Sequence, residues 1–283
     1  MNYRHAFHAG NFADVVKHAV LARILAHLGE KAQAFRVIDT HAGAGLYDLT
    51  SEAASRTGEW REGIGRLRAA TLPAEVEPLL APYLAAVTAV NRGGALRRYP
   101  GSPLLALSLM RPQDRLVGSE LEPRAAAALA ANLRHDDRAR VVAIDGWVAL
   151  KAYVPPKERR GVVLIDPPYE DKQEFARLSG ALAAAHRKWS TGVFVLWYPI
   201  KDRGGPDLLA GSLRRSPLRK VLRAELEWPA AGEASRLTGT GLVVINPPWR
   251  LAAELGRLLP VLGSVLGGPA AGRVKVDWLA GEA

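Results

Sequence analysis

The chain has 283 residues, 48% of them hydrophobic, and its 38 Lys and Arg against 28 Asp and Glu give a formal net charge of +10 at pH 7. This size suits one large α/β domain or a domain with an insertion, and the charge favours a polyanion such as nucleic acid, although a generally basic proteome would give the same balance. The absence of cysteine excludes disulfides, Cys-ligated zinc, iron–sulfur clusters and methylation of a base through a thiolate.

The N-terminal stretch is polar and rich in histidine, without the apolar segment of a signal peptide. No apolar run elsewhere approaches the length of a membrane span, so we expect a cytoplasmic protein with no membrane partner. Asn11 is a typical N-cap for a helix predicted from about residue 12 to 28, which Gly29 ends. Lys17 and His18 lie on this helix, where a lone histidine is most often structural or solvated.

A short strand at residues 35–39 runs into a glycine-rich turn that contains Gly43 and Gly45. The dehydrogenase fingerprint needs another glycine three residues after Gly45, but Asp48 stands there. The pattern Asp-x-x-x-Gly-x-Gly, which begins at Asp39, suits the first strand and loop of a fold that binds S-adenosylmethionine. Glycine would let the backbone approach the amino-acid end of that cofactor. An ordinary glycine-rich β-turn would contain the same residues.

The acid that binds ribose usually follows such a loop by about 20 residues, but the next convincing strand begins only near residue 115. The gap predicts an inserted helical subdomain at residues 48–100, while residues 1–47 and 101–283 form the cofactor-binding domain with an N-terminal tail. The insertion has arginines that form either a phosphate-binding surface for RNA or a solvated helical face: Arg56, Arg61, Arg66, Arg68, Arg92, Arg97 and Arg98.

Six further strands are predicted, each an apolar run bounded by turn residues, and helices are predicted between most of them. These strands lie at about residues 115–120, 141–146, 161–166, 192–197, 241–246 and 273–278. With the first strand they predict a doubly wound, mostly parallel α/β sheet of about seven strands. Glu120 and Asp145 end the second and third strands, where they can accept hydrogen bonds from ribose hydroxyls and from an adenine amino group.

The fourth strand carries the most specific signal, because its apolar run at residues 163–165 ends abruptly in Asp166-Pro167-Pro168-Tyr169. The prolines end the strand, which leaves a carboxylate and an aromatic ring at the edge where open α/β sheets bind ligands. Amino-methyltransferases use this tetrapeptide on planar exocyclic amines, such as adenine N6 or cytosine N4. Asp166 and the Pro167 carbonyl can accept both N–H bonds, and Tyr169 can stack on a base turned out of its helix.

This tetrapeptide predicts direct in-line methyl transfer in which positioning and electrostatics make the main contributions, with an ordinary strand-end turn as the alternative. A second stretch of similar form, Asn-Pro-Pro-Trp, occupies residues 246–249. It follows too many strands to belong to the fourth. We therefore interpret it as a strand-end turn toward the edge of the sheet, which could also line the substrate cleft.

Several further motifs accompany these signals along nearly the whole chain. They are Tyr3-Arg4-His5, Phe7-His8-Ala9-Gly10-Asn11, Ala13-Asp14-Val15, Lys17-His18, the glycine loop at 39–45, Arg56-Thr57-Gly58-Glu59, Tyr99-Pro100-Gly101-Ser102-Pro103, Arg159-Arg160-Gly161, the strand end at 165–170, Leu196-Trp197-Tyr198-Pro199 and the strand end at 245–249. With these motifs the sequence resembles the RlmJ family of bacterial 23S rRNA adenine-N6 methyltransferases. The resemblance implies a Rossmann-like class I methyltransferase domain.

The resemblance also implies particular roles. S-adenosylmethionine would be the methyl donor, without a metal, and the cofactor contacts would be His18, His41, Ser102, Glu120, Asp145, Gly146 and Asp166. Asp166 would be the catalytic acceptor, and Tyr3 in the tail would close over the site. The insertion would aid RNA binding. The product would be one N6-methyladenine in the peptidyl-transferase domain of 23S rRNA, made by a monomer on protein-free RNA.

Other functions remain open at this stage. A DNA adenine-N6 methyltransferase would use the same site, and a non-catalytic rRNA-binding assembly factor could retain a methyltransferase shell. The intact acidic turn and glycine loop count against the second of these. A dehydrogenase is disfavoured by the missing third glycine.

Overall fold

Strands and helices alternate along most of the chain in the computed structural model, which describes residues 4–170, 174–228, 237–267 and 272–281. The strands in these ranges are β1 (Arg36–Asp39), β2 (Leu46–Asp48), β3 (Arg98–Pro100), β4 (Arg115–Ser119), β5 (Ala139–Val142), β6 (Gly161–Ile165), β7 (Val193–Ile200), β8 (Val221–Glu227), β9 (Gly239–Ile245) and β10 (Arg273–Ala280). The α-helices are α1 (Phe12–Gly29), α2 (Glu52–Thr57), α3 (Arg66–Ala69), α4 (Glu77–Ala89), α5 (Ser102–Leu109), α6 (Pro123–Leu133), α7 (Gly146–Tyr153), α8 (Glu174–Lys188), α9 (Gly204–Arg215) and α10 (Leu251–Gly267).

One large sheet has the strand order β10-β8-β9-β7-β6-β1-β4-β5, and β2 pairs with β3 in a separate two-stranded ladder. Five neighbouring strands of this sheet, β5, β4, β1, β6 and β7, are parallel to one another. The other three are antiparallel to their neighbours, since β9 runs antiparallel to β7, β8 to β9 and β10 to β8. This arrangement confirms the predicted α/β, Rossmann-like fold with a mostly parallel sheet. The carboxyl ends of the parallel strands meet at one edge, which is where such folds bind ligands.

The sheet has eight strands in the described ranges rather than about seven, because β8 was not predicted. Its sequence alternates apolar residues with Arg223 and Glu225, a pattern typical of a half-exposed strand or a loop. The structure buries both charges, and Arg223 forms a bidentate pair with Asp277 of β10 at 2.8 and 2.7 Å. Pairing across the sheet therefore makes burial of these side chains tolerable.

Helices cover both faces of the sheet. Leu164 points to the face covered by α1, α4, α5, α6 and α10, whereas its neighbours Val163 and Ile165 point to the face covered by α7, α8 and α9. Successive residues of a strand point to opposite faces, so β6 is buried along its whole length and reads as a continuous apolar run. No helix in the described part of the chain is long and apolar enough to cross a membrane.

The segment at residues 48–100 contains α2, a π-helical turn at Arg61–Gly65, α3, α4 and β3. The helical stretch from Arg61 to Ala69 is interrupted at Gly63, whose backbone conformation is not helical, with a φ of −96° and a ψ of −106°. A Cβ atom at this position would lie 2.1 Å from the carbonyl oxygen of Gly10, so only glycine permits this close approach. Helix α4 packs against α1 and α5, and its buried residues share one hydrophobic core with them.

Candidate active site

A cavity of about 900 Å³ opens at the carboxyl edge of the parallel strands. It is lined by nine of the ten predicted site residues: His18, His41, Ser102, Glu120, Asp145, Gly146, Asp166, Pro167 and Tyr169. The tenth, Tyr3, lies outside the described residues. The order of strands along the chain thus brings residues that are far apart in sequence to one place.

The glycine loop after β1 is held by the acid at the end of β4. Glu120 accepts a hydrogen bond from the backbone N–H of Gly43 at 2.8 Å and another from that of Glu122 at 2.8 Å. Gly43 has a φ of 60°, and a Cβ atom there would lie 2.1 Å from the Tyr47 hydroxyl. The loop therefore needs glycine both for its backbone conformation and for space.

Asp145 begins α7 instead of ending a strand, because β5 stops at Val142. Its carboxylate accepts hydrogen bonds from the backbone N–H groups of Trp147 and Val148 at 2.9 and 3.0 Å, as an N-cap does. The next residue, Gly146, faces His41 so closely that a Cβ atom would lie 2.5 Å from the imidazole ring. Gly146 thus leaves room for His41 at the cavity wall.

Asp39, the first residue of the glycine motif, is buried below the cavity and also acts as a hydrogen-bond acceptor. Its carboxylate accepts a 2.6 Å hydrogen bond from the Ser102 hydroxyl and a 3.3 Å bond from the backbone N–H of His41. Burial raises the pKa of Asp39 to about 7, although the bond from Ser102 acts in the opposite direction. Asp39 therefore fixes two of the predicted cofactor contacts from beneath.

The two histidines predicted to contact the cofactor, His18 and His41, are neutral at pH 7. Burial lowers the pKa of His18 to about 3 and that of His41 to about 4. The negative charges of Asp166 and Asp145 both act against this effect on the pKa of His41. The Nδ1 atom of His41 lies 2.8 Å from the Thr40 hydroxyl, which orients the ring.

The acidic turn after β6 is connected to α1 by an ion pair that sequence reasoning did not predict. Lys17 donates to the Asp166 carboxylate and also lies 2.8 Å from Asp14, which in turn lies 3.0 Å from Nε2 of His5. Burial acts to lower the pKa of Lys17, but Asp14 and Asp166 outweigh it and raise the pKa, so Lys17 stays protonated. One sequence signal existed, since Asp14 and Lys17 are three residues apart and share a face of the helix.

Tyr169 forms part of the cavity wall and has a left-handed backbone conformation, with a φ of 53°. Its hydroxyl donates a 2.5 Å hydrogen bond to the carbonyl oxygen of Trp197, and its ring contacts those of Phe175 and Trp197, with centroid distances of 5.0 and 5.8 Å. This backbone conformation is unfavourable for an aromatic residue and is stabilised here by these contacts. The ring is therefore fixed before any ligand arrives.

No group of three or more His, Asp or Glu side chains in the described ranges is placed to hold a metal ion. The cavity is lined by the glycine loop after β1, by the two acids beyond β4 and β5, and by the acidic turn after β6 with its aromatic ring. This set fits S-adenosylmethionine, whose hydroxyls and amino groups donate hydrogen bonds while its carboxylate accepts them. The fold and site together define a Rossmann-like class I methyltransferase of the kind that uses this cofactor.

Comparison with known proteins identifies the family. A family model described as "Ribosomal RNA large subunit methyltransferase D, RlmJ" matches residues 32–280. The chain is 43% identical to the Ribosomal RNA large subunit methyltransferase J of Escherichia coli and 40% identical to that of Haemophilus influenzae, with 100% of each chain covered in both cases. A solved structure from Legionella pneumophila has a TM-score of 0.87 at 33% identity, covering 96% of this chain and 98% of the other. The chain belongs to the RlmJ family.

Proposed function

We propose that the chain transfers a methyl group from S-adenosylmethionine to N6 of one adenine in 23S rRNA. The observation that carries this proposal is the presence of the Asp166-Pro167-Pro168-Tyr169 turn in the same cavity as Gly43, Glu120 and Asp145. An acceptor pair for an exocyclic amine therefore lies beside the elements that would hold the methyl donor. The names of the relatives, which are large-subunit rRNA methyltransferases, support the choice of RNA.

The positions of the two acids suggest how the cofactor would lie. Glu120, beyond β4, would accept hydrogen bonds from the ribose hydroxyls, and Asp145, at the start of α7, would accept one from the adenine amino group. The amino-acid end would then extend past the glycine loop toward His18, His41 and Ser102. S-adenosylmethionine bound in this way supplies an electrophilic methyl group on a sulfonium.

The acidic turn would position the amine that attacks this methyl group. The lone pair of adenine N6 is delocalised into the ring, so the nitrogen is a weak nucleophile whose orientation matters. Lys17 donates to Oδ2 of Asp166, which leaves Oδ1 to accept one N–H of the amine while the Pro167 carbonyl accepts the other. Both acceptors are rigid, since Lys17 fixes the carboxylate and the two prolines stiffen the turn.

A base inside a duplex cannot reach this turn, so the adenine would have to be unstacked and extruded into the cavity. Tyr169 supports this step, because its ring faces the cavity and is anchored through its hydroxyl to Trp197. Stacking on a fixed aromatic ring compensates part of the cost of unstacking. The role of Tyr3 in covering the site remains a prediction from the family resemblance.

We propose that residues 48–100 form an inserted subdomain whose surface contacts RNA. Six of its arginines are exposed, namely Arg56, Arg61, Arg68, Arg92, Arg97 and Arg98. Arg66 is half-buried instead, and it donates to the carbonyl oxygen of Leu266 and pairs with Glu62. The exposed set could neutralise several phosphates around the extruded adenine. We also propose that the enzyme acts in the cytoplasm, as a monomer, on RNA free of ribosomal proteins.

The test is a comparison of substrates with methyl-labelled S-adenosylmethionine. Transcribed 23S rRNA and a DNA duplex of the same sequence are incubated with the protein, and modified nucleosides are identified by mass spectrometry. The expected result is N6-methyladenine in the RNA only, at one position. Methylation of the DNA would favour a DNA methyltransferase. Failure to bind the cofactor, measured by calorimetry, would favour a non-catalytic RNA-binding factor.

A further inference from the structure

Three buried aromatic side chains from three separate elements form a hydrogen-bonded row behind the cavity. The hydroxyls of Tyr83 in α4 and Tyr99 in β3 lie 3.0 Å apart, and the Tyr99 hydroxyl lies 2.7 Å from Nδ1 of His18 in α1. The two tyrosines are 0% exposed and His18 is 1% exposed. The row thus connects the segment at 48–100 to a histidine that lines the cavity.

Matching the donors and acceptors of this row shows which group donates each hydrogen bond. Among the described residues, the Tyr83 hydroxyl has one hydrogen-bond partner, the Tyr99 hydroxyl. A buried O–H group without an acceptor is costly, whereas an unused hydroxyl lone pair costs much less, so Tyr83 donates to Tyr99. The Tyr99 oxygen then accepts from Tyr83, and its own proton can go only to Nδ1 of His18.

This direction determines which tautomer of His18 is present. Burial lowers the pKa of His18 to about 3, so the ring is neutral at pH 7 and carries a single N–H. Since Nδ1 accepts from Tyr99, the proton must be on Nε2. Nε2 of His18, the ring nitrogen that does not contact Tyr99, is therefore a hydrogen-bond donor.

We propose that Tyr83 and Tyr99 are positioning residues that hold His18 as the Nε2–H tautomer, so that it donates to the carboxylate at the amino-acid end of S-adenosylmethionine. This inference rests on the proposed function, which places that end of the cofactor near His18. A carboxylate needs a donor, whereas the cofactor's ammonium group would need an acceptor, so the tautomer selects one of the two groups. The row thereby specifies the orientation of the methionine portion.

The first test reads the tautomer directly in the wild-type protein. Long-range ¹H–¹⁵N spectra distinguish a protonated from an unprotonated ring nitrogen, and the His18 signals are assigned by comparison with a His18→Gln variant. We expect a proton on Nε2 and none on Nδ1 between pH 6 and 8. A proton on Nδ1 would overturn the proposal, whatever the behaviour of any variant.

The second test measures binding of two ligands by calorimetry. S-adenosylhomocysteine contains the amino-acid end, whereas 5′-methylthioadenosine lacks it. Tyr99→Phe should weaken binding of S-adenosylhomocysteine about tenfold and leave 5′-methylthioadenosine unchanged, because only the first ligand has the carboxylate. Tyr83→Phe should have a smaller effect, about threefold or less, since Tyr99 would still donate to its remaining partner, His18.

Tyr198→Phe is the matched control, because it removes another buried tyrosine hydroxyl, one that donates to Glu225 at 2.8 Å. It should bind both ligands as the wild type does. If Tyr99→Phe weakens both ligands equally, or neither, the positioning role is wrong. These outcomes are distinct from failure of the proposed function, in which the wild-type protein itself would not bind S-adenosylhomocysteine.

Discussion

Two turns of this molecule have nearly the same sequence but lie at opposite ends of the sheet. Residues 166–169 follow β6 and residues 246–249 follow β9, and both strands are buried along their whole length. Strand β6 is parallel to β1, whereas β9 is antiparallel to β7, with Ile245 paired to Phe194 near the start of β7. The first turn therefore reaches the cavity, and the second lies beyond the amino ends of the parallel strands.

Their polar residues are used differently. The Asp166 carboxylate faces the cavity and is held by Lys17, whereas the Asn246 amide donates to the carbonyl oxygens of Ser190 and Gly192 at 2.8 and 2.9 Å. Trp249 is 77% exposed, and the guanidinium carbon of Arg250 lies over its ring, 4.6 Å from the ring centroid. Residues 246–249 are not among those that line the cavity, so the expectation that the second turn could line the substrate cleft is wrong. Strand direction decides whether such a motif can take part in chemistry.

The largest expected effect comes from two single variants, each of which gives one turn the polar residue of the other. Asp166→Asn keeps the size of the side chain but replaces one acceptor with a donor, so methyl transfer should fall about 10²- to 10³-fold. Asn246→Asp should retain wild-type activity. Initial rates with saturating RNA and cofactor measure both effects, and circular dichroism confirms folding. Comparable losses in the two variants would contradict the assignment of the site to the first turn.

The aromatic residues of the two turns give the next contrast. Tyr169→Ala removes the surface on which the extruded adenine would stack, so kcat/KM for RNA should fall about 10- to 100-fold while cofactor affinity is retained. Trp249→Ala should leave both quantities unchanged, because its ring is exposed on the far side of the sheet. A loss of RNA turnover in Trp249→Ala would show that the substrate also contacts that end.

The second turn should instead matter for stability. Asn246 has a φ of 53°, a conformation that asparagine tolerates better than alanine, and its amide makes two hydrogen bonds to backbone carbonyls. Asn246→Ala should therefore lower the free energy of unfolding by about 2 kcal/mol without changing methyl transfer. Asn246→Gly relieves the backbone and loses only the hydrogen bonds, so it should lie between alanine and wild type. Denaturant unfolding measures both variants.

Much of the fold and site follows from local sequence. Apolar runs that end in Glu120 or Asp166 identify strands and their ligand-facing ends, because burial and strand termination act over a few residues. The location of the second turn does not follow, since the direction of β9 is decided by its pairing with β7. The bond between Lys17 and Asp166 spans 149 residues of sequence and depends on how α1 packs over the sheet. Strand β8 was not predicted, because its charged residues do not suggest a buried strand and the partner of Arg223, Asp277 in β10, is distant in sequence.

The last contrast concerns pH, because the cavity end contains buried titratable groups whereas Asn246 holds its turn through a neutral amide. Between about pH 4.5 and 6, an unfolded chain binds protons at His18 and His41, whose folded pKa values are lowered to about 3 and 4. Asp39 acts oppositely, since its raised folded pKa of about 7 keeps a proton that the unfolded chain has lost. From these three groups the unfolded state binds about one proton more, so together they should contribute a rise in stability of about 1.4 kcal/mol per pH unit over this window.

His41→Asn removes one of the two histidines and should lower this slope by about 1.4 kcal/mol per pH unit, whatever it does to stability at a fixed pH. Asn246→Ala is the matched control, since it should reduce the free energy of unfolding by a similar amount at every pH and leave the slope unchanged. Urea unfolding at half-unit steps from pH 4.5 to 6.5 measures both slopes. If His41→Asn keeps the wild-type slope, then His41 is not held neutral in the folded protein. It would then not contribute to the electrostatic difference between the two ends of the sheet.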